Sequence, residues 1–265
     1  MRIDTPGAGR PATMAELHSK SPMPGGDSDA ANFCSTCVFG AACAVHDVDK
    51  LALSELHFLV EHIGPFRAGS YIFRTGEPFK AIYAVRSGVV KTVYAGGAGR
   101  EHIAGFHLPG EVIGLAAIHE KRFPCDAVAV DTAYLCRFEF RTLATLTTRL
   151  PQVQAELFRL LSKDIGSATV LAGDQAADER LAAFLLGLSR RLSARGLSAR
   201  VFRLPMVRRD IANHLNLAPE TVSRVLRRLH DQGWIRVVGR QIELLRLDEV
   251  TRLAGAVLPG ARVQG

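Results

Sequence analysis

Apolar residues along this chain change their period several times, and each change marks a different kind of element. In residues 49–63, "DKLALSELHFLVEHI", Leu51, Leu56, Leu59 and then Val60 or Ile63 recur at helical intervals, which predicts a short amphipathic helix. From Pro65 to about Arg141 the texture turns to short β-type runs, "SYIF", "AIYAV", "VVKTVY", "HIAGFHL", "AVAV" and "AYLCRFEF". Gly69, Gly76, Gly88, Gly99 and Gly110 punctuate them at strand-plus-turn spacing, so an antiparallel sandwich or small barrel is expected. The helical period returns in "PQVQAELFRLLSKDI", residues 151–165, where Pro151 suits a first helical position and Val153, Leu157, Leu160 or Leu161, and Ile165 share a stripe. Such a stripe at a domain junction serves packing or the pairing of two copies. Gly166 and Gly173 are expected to interrupt this helix, and "DERLAAFLLGLSRRL", residues 178–192, opens the next with acids in its first turn. A domain boundary is expected near Gly173.

The segment "PMVRRDIANHLNLAPETVSRVLRRLHDQGWI" carries the strongest positional signal. Ile211, Ala212 and Leu215 line one face of a first helix, Asn216 and Leu217 begin a tight connection, and Pro219 sits where a second helix starts. Val222, Val225, Leu226 and Leu229 form the buried stripe of that second helix, which leaves Glu220, Ser223, Arg224, Arg227 and Arg228 on the opposite face. A helix-turn-helix with one cationic, polar face follows. In "GWIRVVGRQIELL", residues 233–245, alternation predicts a hairpin turning at Gly239 and Arg240, a wing beside the second helix.

Charge strengthens that picture. The chain has 265 residues, 48% of them hydrophobic, enough for two ordinary domains, and a formal net charge of +7. Residues 200–240 hold nine Arg, no Lys and three acids, so a local +6 supplies nearly the whole excess and marks this part as the one that meets a polyanion. Arg forks onto guanine O6 and N7, Glu accepts from the cytosine amino group, and Ser reaches an oxygen or amine edge. Arg227 and Arg228 are better placed for phosphate. The candidate DNA-contacting set is therefore Glu220, Ser223, Arg224, Arg227 and Arg228, with Thr221 and Arg209 beside them.

Three of the five cysteines fall within ten residues, "CSTCVFGAAC", at Cys34, Cys37 and Cys43. No run of about 18 apolar residues exists to span a membrane, and the first 30 residues lack an apolar signal core, so the expected compartment is the cytoplasm. Thiols stay reduced there, which makes structural disulfides the least favoured use of the cluster. A zinc site and an iron-sulfur site remain open on spacing alone, because four-cysteine zinc sites also tolerate a single C-x2-C with remote partners. Cys136 shares a strand face with Tyr134, Phe138 and Phe140 and reads as a small core hydrophobe, a substitute ligand being the alternative. His46 and Met206 need no role beyond surface and core. No constellation of converging acids and bases marks a catalytic site, so the chain is not expected to be an enzyme.

A glycine-rich β-roll, a connecting helix and a winged helix-turn-helix, in that order, resemble the catabolite-activator (CRP/FNR) superfamily of bacterial transcription regulators. "CSTCVFGAAC", "IYAVRSGVVKTV", "IAGFHLPGEVIG", "DERLAAFLLGLSRRL" and "ETVSR" are similar to its fumarate and nitrate reductase regulator (FNR) branch, over about residues 33–250. The implied fold is α+β: a cyclic-nucleotide-binding-like jelly roll, a long connecting dimerisation helix and a C-terminal winged helix-turn-helix. The implied layout is a disordered leader over 1–30, a cysteine-rich cluster-binding segment over 31–48 and the β-roll sensor over 49–148. A dimerisation helix over 151–173, the DNA-binding domain over 174–253 and a flexible tail over 254–265 follow.

The same resemblance implies a 4Fe-4S cluster on Cys34, Cys37 and Cys43, in the spacing C-x2-C-x5-C, with Cys125 at the matching place in the roll as the fourth ligand. It implies an oxygen-responsive homodimer in which Glu220, Ser223 and Arg224 read TTGAT-like half-sites of an inverted repeat, and which contacts RNA polymerase. A zinc-stapled or small-ligand-responsive regulator is the alternative. Where cyclic-nucleotide members carry a basic-hydroxyl pair, this chain has Pro124 and Cys125, and Gly110 and Glu111 lead into "VIGLAA", so a cyclic nucleotide would lose its phosphate partner unless Arg122 supplied it. The stretch between Ile165 and Asp178 is shorter than the family leads one to expect.

Overall fold

A computed structural model describes residues 60–148, 151–170, 175–255 and 257. The cysteine segment 31–48, the leader 1–30, the boundary at Gly173 and residues 258–265 of the tail lie outside the described residues.

The β-type runs pair into two antiparallel four-stranded sheets. The first has the order β1-β8-β3-β6, from β1 (Val60–Phe66), β3 (Ala81–Ser87), β6 (Val112–Ile113) and β8 (Ala133–Glu139). The second has the order β2-β7-β4-β5, from β2 (Tyr71–Phe73), β4 (Val90–Ala95), β5 (Glu101–His107) and β7 (Asp126–Ala129). Gly88 makes the sharp β3-to-β4 connection possible: its φ is +77°, and a Cβ there would lie 2.4 Å from the Thr132 carbonyl oxygen.

Period-two alternation sorts side chains onto the faces of these sheets, and the result is a stack of four layers. Phe73, Val85, Val90, Ile113, Ala127 and Leu135 fill the space between the sheets. On the outer face of the first sheet, Ile82, Ala84, Val112, Cys136 and Phe138 meet Leu143 and Leu146 of α2 (Phe140–Thr147) and Val153 and Leu160 of α3 (Pro151–Val170). On the outer face of the second, Val89, Val93, Ile103 and Phe106 join one continuous cluster with the C-terminal domain. The short α1 (Ala117–Glu120) links β6 to β7.

The C-terminal domain runs α4 (Ala177–Ser193), β9 (Val201–Arg203), α5 (Arg208–His214), α6 (Pro219–Asp231), β10 (Ile235–Val238), β11 (Gln241–Leu244) and α7 (Leu247–Ala254). Its three-stranded sheet has the order β10-β11-β9. The hairpin turns at Gly239 and Arg240, as the alternation predicts; β9 is a third strand that too short a run of alternation conceals.

Two expectations need correction. Residues 60–63, placed by periodicity at the end of a helix, are strand: Val60 pairs with Phe138 and His62 with Cys136, since pairing along an available edge outweighs helical spacing in a β-branched segment. Residues 49–59 lie outside the described residues. Gly166 does not interrupt the junction helix, whose backbone continues to Val170, because one interior glycine costs only about 1 kcal/mol.

Candidate functional site

The second helix of the helix-turn-helix is built as its sequence requires. Ala218 is extended, Pro219 occupies the first turn where its missing N–H is no loss, and Glu220 lies at the positive end of the helix dipole. Val222, Val225, Leu226 and Leu229 are buried, and the turn from α5 passes through Asn216 at φ +54°, a conformation asparagine tolerates. Ile211, Ala212 and Leu215 are buried beneath it.

This packing leaves Glu220, Ser223, Arg224, Arg227 and Arg228 exposed on one side, with Thr221 half-buried and Arg209 exposed on α5. Ser223 Oγ donates to the Pro219 carbonyl at 3.1 Å, and Arg224 Nη2 donates to Thr221 Oγ1 at 3.1 Å. The second contact leans the Arg224 guanidinium toward the N-terminal turn of the helix. Arg228 instead pairs with Asp178 of α4, inside its own domain.

The wing adds cations that sequence reasoning counted without placing. Arg203 and Arg240 line a groove of about 430 Å³ together with Val201, Phe202, Val238 and Gln241. Arg208 stands near them, half-buried, and its pKa is lowered by burial and by the charge of Arg240. Three guanidiniums thus gather at the wing, between β9 and the β10–β11 hairpin; the density of Arg in residues 200–240 was their only signal.

The two thiols of the roll occupy different layers, and neither is disulfide-bonded. Cys125, 6% exposed, belongs to the core between the sheets. Burial pushes its thiol up to about 11, against a Tyr94 hydrogen bond that lowers it, with Asp126 adding to the rise. Cys136, 3% exposed, lies in the layer beneath α2 and α3, opposite His62 of β1. Cys34, Cys37, Cys43 and His46 lie outside the described residues. Among the described residues no group of three or more His, Cys, Asp or Glu forms a metal-binding cluster.

Glu111 is committed elsewhere. Its carboxylate accepts from Arg191 Nε at 2.8 Å, from the Leu108 N–H at 3.0 Å and lies 2.9 Å from Arg195 Nη2. Burial alone would raise its pKa, but the charge and hydrogen bonds of Arg191, with His107 and the Leu108 amide, hold it at about 2. Arg122, the other residue weighed for a small ligand, donates to the Gly76 carbonyl at 2.6 Å. No described helix is long and apolar enough to cross a membrane.

Comparison with known proteins gives the same two halves. Residues 64–149 match the cyclic nucleotide-binding domain family and residues 179–253 the Crp-like helix-turn-helix domain family. The chain is 39% identical over 230 residues to the transcriptional activator protein anr of Pseudomonas aeruginosa, covering 86% of this chain and 94% of that protein. It is 36% identical over 225 residues to the fumarate and nitrate reduction regulatory protein of Salmonella typhi, covering 84% and 90%. Among solved structures, FixK2 from Bradyrhizobium japonicum superposes with a TM-score of 0.64 at 31% identity, covering 73% of this chain and 96% of that one.

Proposed function

The chain belongs to the CRP/FNR family of transcription regulators, and from that premise we propose that it is an oxygen-responsive, DNA-binding homodimer whose sensor is a 4Fe-4S cluster. The family is one of transcription factors, not enzymes. The observation that carries the proposal is that one chain holds both a C-x2-C-x5-C segment and buried cysteines in its roll, and that its relatives include a fumarate and nitrate reduction regulator. Soft thiolate donors in an apolar, water-poor setting suit iron-sulfur ligation.

Cys34, Cys37 and Cys43 supply three ligands in this reading. The resemblance puts Cys125 in the fourth position, but specific observations favour Cys136. Cys43 precedes Val60 by seventeen residues, and Val60 begins β1, the strand paired with the Cys136-bearing β8. Cys136 also shares its apolar layer with Val153 and Leu160 of the junction helix, whereas Cys125 faces the core between the sheets. When bound, the cluster supplies an oxygen-labile tie between four thiolates. Cys136 anchors the cysteine arm against the layer that seats α3, and the ordering free energy comes from ligation.

On α3, Phe158 is 60% exposed between half-buried Leu157 and Leu161, an apolar strip suited to the same strip of a second copy. A dimer presents two α6 helices to half-sites one DNA turn apart, about 34–36 Å, and doubles the phosphate contacts. Glu220, Ser223 and Arg224 read TTGAT-like half-sites of an inverted repeat; Thr221 holds Arg224; Arg209 and Arg227 meet phosphate, while Arg228 is held by Asp178 of α4. The bound dimer then contacts RNA polymerase. The test is iron and sulfide analysis of anoxically purified Cys136→Ser and Cys125→Ser. Loss of the cluster in the first and its retention in the second is expected; the reverse returns Cys125 to the ligand set, and retention in both removes the roll from it.

A further inference from the structure

The first helix of the helix-turn-helix is clasped by an edge of the roll. Strand β5 ends its sheet, so its outward N–H and C=O groups need partners, and α5 supplies them. Asn213 Oδ1 accepts from the Ile103 N–H at 2.7 Å, and Asn213 Nδ2 donates to the Glu101 carbonyl at 2.8 Å. His214 Nδ1–H donates to the Ile103 carbonyl at 2.9 Å, its ring edge-on to Phe106 and Phe184 at 5.3 and 5.8 Å between centroids. From β4, Lys91 Nζ reaches Asp210 Oδ2 at 2.7 Å, with the side chains only 21% and 13% exposed. Arg191 of α4 and Arg195, just past its C-terminal end, grip Glu111, and Arg195 also donates to the Pro109 carbonyl. None of these residues lies on the exposed face of α6.

We propose that this clasp positions the recognition helix for DNA reading: Lys91, Asp210, Asn213 and His214 set the angle between α6 and its own roll, and thereby the half-site spacing that a dimer accepts. The inference rests on the dimeric DNA-reading function proposed above. Where the two rolls are held together through α3, the separation of the two α6 helices is set by how rigidly each hangs from its roll. Domains of one chain move against each other by default, but a polar edge-strand clasp over a shared apolar cluster removes that freedom. Each added base pair moves a half-site by about 3.4 Å and turns it by about 35°. A rigid pair of readers rejects such a change, and a loose pair adapts to it.

The experiment uses the full chain, prepared anoxically, and three operators with identical half-sites and a spacer of the preferred length or one base pair shorter or longer. Wild type is expected to favour the preferred spacer. Lys91→Glu and Asn213→Ala are expected to flatten that ratio by about three- to tenfold, from the loss of a partly buried ion pair or two hydrogen bonds. Preference among base changes inside a half-site stays as in wild type, and Lys91→Arg keeps the wild-type spacer ratio. Hydrogen exchange at the Ile103 amide reports the clasp directly and accelerates in Asn213→Ala. Faster exchange with an unchanged spacer ratio would overturn the inference, leaving an ordinary packed interface. A wild-type chain that binds none of the operators would remove the DNA-reading function itself, a separate failure.

Discussion

Removing the Glu111 carboxylate while keeping its shape, in Glu111→Gln, strands the guanidiniums of Arg191 and Arg195 against the roll. Burial, the largest influence on this group, raises its pKa, yet the charge and hydrogen bonds of Arg191, with His107 and the Leu108 amide, bring it to about 2 from an ordinary 4.5. At about 1.4 kcal/mol per unit, that shift corresponds to about 3 kcal/mol of folding stability at neutral pH. The figure agrees with the 3–5 kcal/mol that removing one partner of a buried pair typically costs, roughly. Because the folded pKa is depressed, the stabilisation is complete above about 4.5 and disappears as pH falls from there toward 2. Urea unfolding of wild type and Glu111→Gln at pH 7 and pH 3.5 checks this. The variant should be less stable by about 3 kcal/mol at the higher pH, and the gap should shrink by about half at the lower. A gap under about 1 kcal/mol at pH 7, or one that does not narrow with acid, would refute the assignment of a depressed, ion-paired carboxylate.

Three further outcomes follow from the same structure. Arg224→Ala should cut discrimination among half-site base variants by on the order of tenfold, measured by competition binding, because a good base contact is worth about 1–3 kcal/mol. Arg227→Ala should weaken binding evenly across operators and lower the salt-dependence slope by about 1 per subunit. Phe158→Asp should raise the dimer dissociation constant at least about tenfold in sedimentation equilibrium, with monomer stability within about 0.5 kcal/mol of wild type, because this exposed side chain packs on nothing essential within one chain.

How much of this was legible in the sequence depended on whether the decisive interaction was local. The helix-turn-helix could be read residue by residue: Ile211, Ala212, Leu215, Val222, Val225, Leu226 and Leu229 are all buried as their spacing requires, and the hairpin turns at Gly239 and Arg240. The β runs were visible because each alternates, and those in β3 and β8 bury both faces, so even the layers were partly encoded. Residues 60–63 read as the end of a helix because their pairing with β8 is about seventy residues distant and leaves no mark in local periodicity. Strand β9 is three residues long, too short for any pattern. The clasp was invisible for the same reason: nothing near Asn213 announces that β5 will need its amide. Choosing between Cys125 and Cys136 likewise required knowing which face of which sheet each sulfur occupies.

Purification of the wild-type chain without oxygen, with iron, sulfide and zinc analysis, an absorption spectrum and the native mass measured before and after air, tests the central claim most directly. The account predicts about four irons and four sulfides per chain, a dimer that binds an inverted-repeat operator, and loss of colour, dimer and operator binding together on exposure to air. Stoichiometric zinc without sulfide, or operator binding indifferent to air, would contradict the sensor while leaving the DNA-reading face of α6 intact.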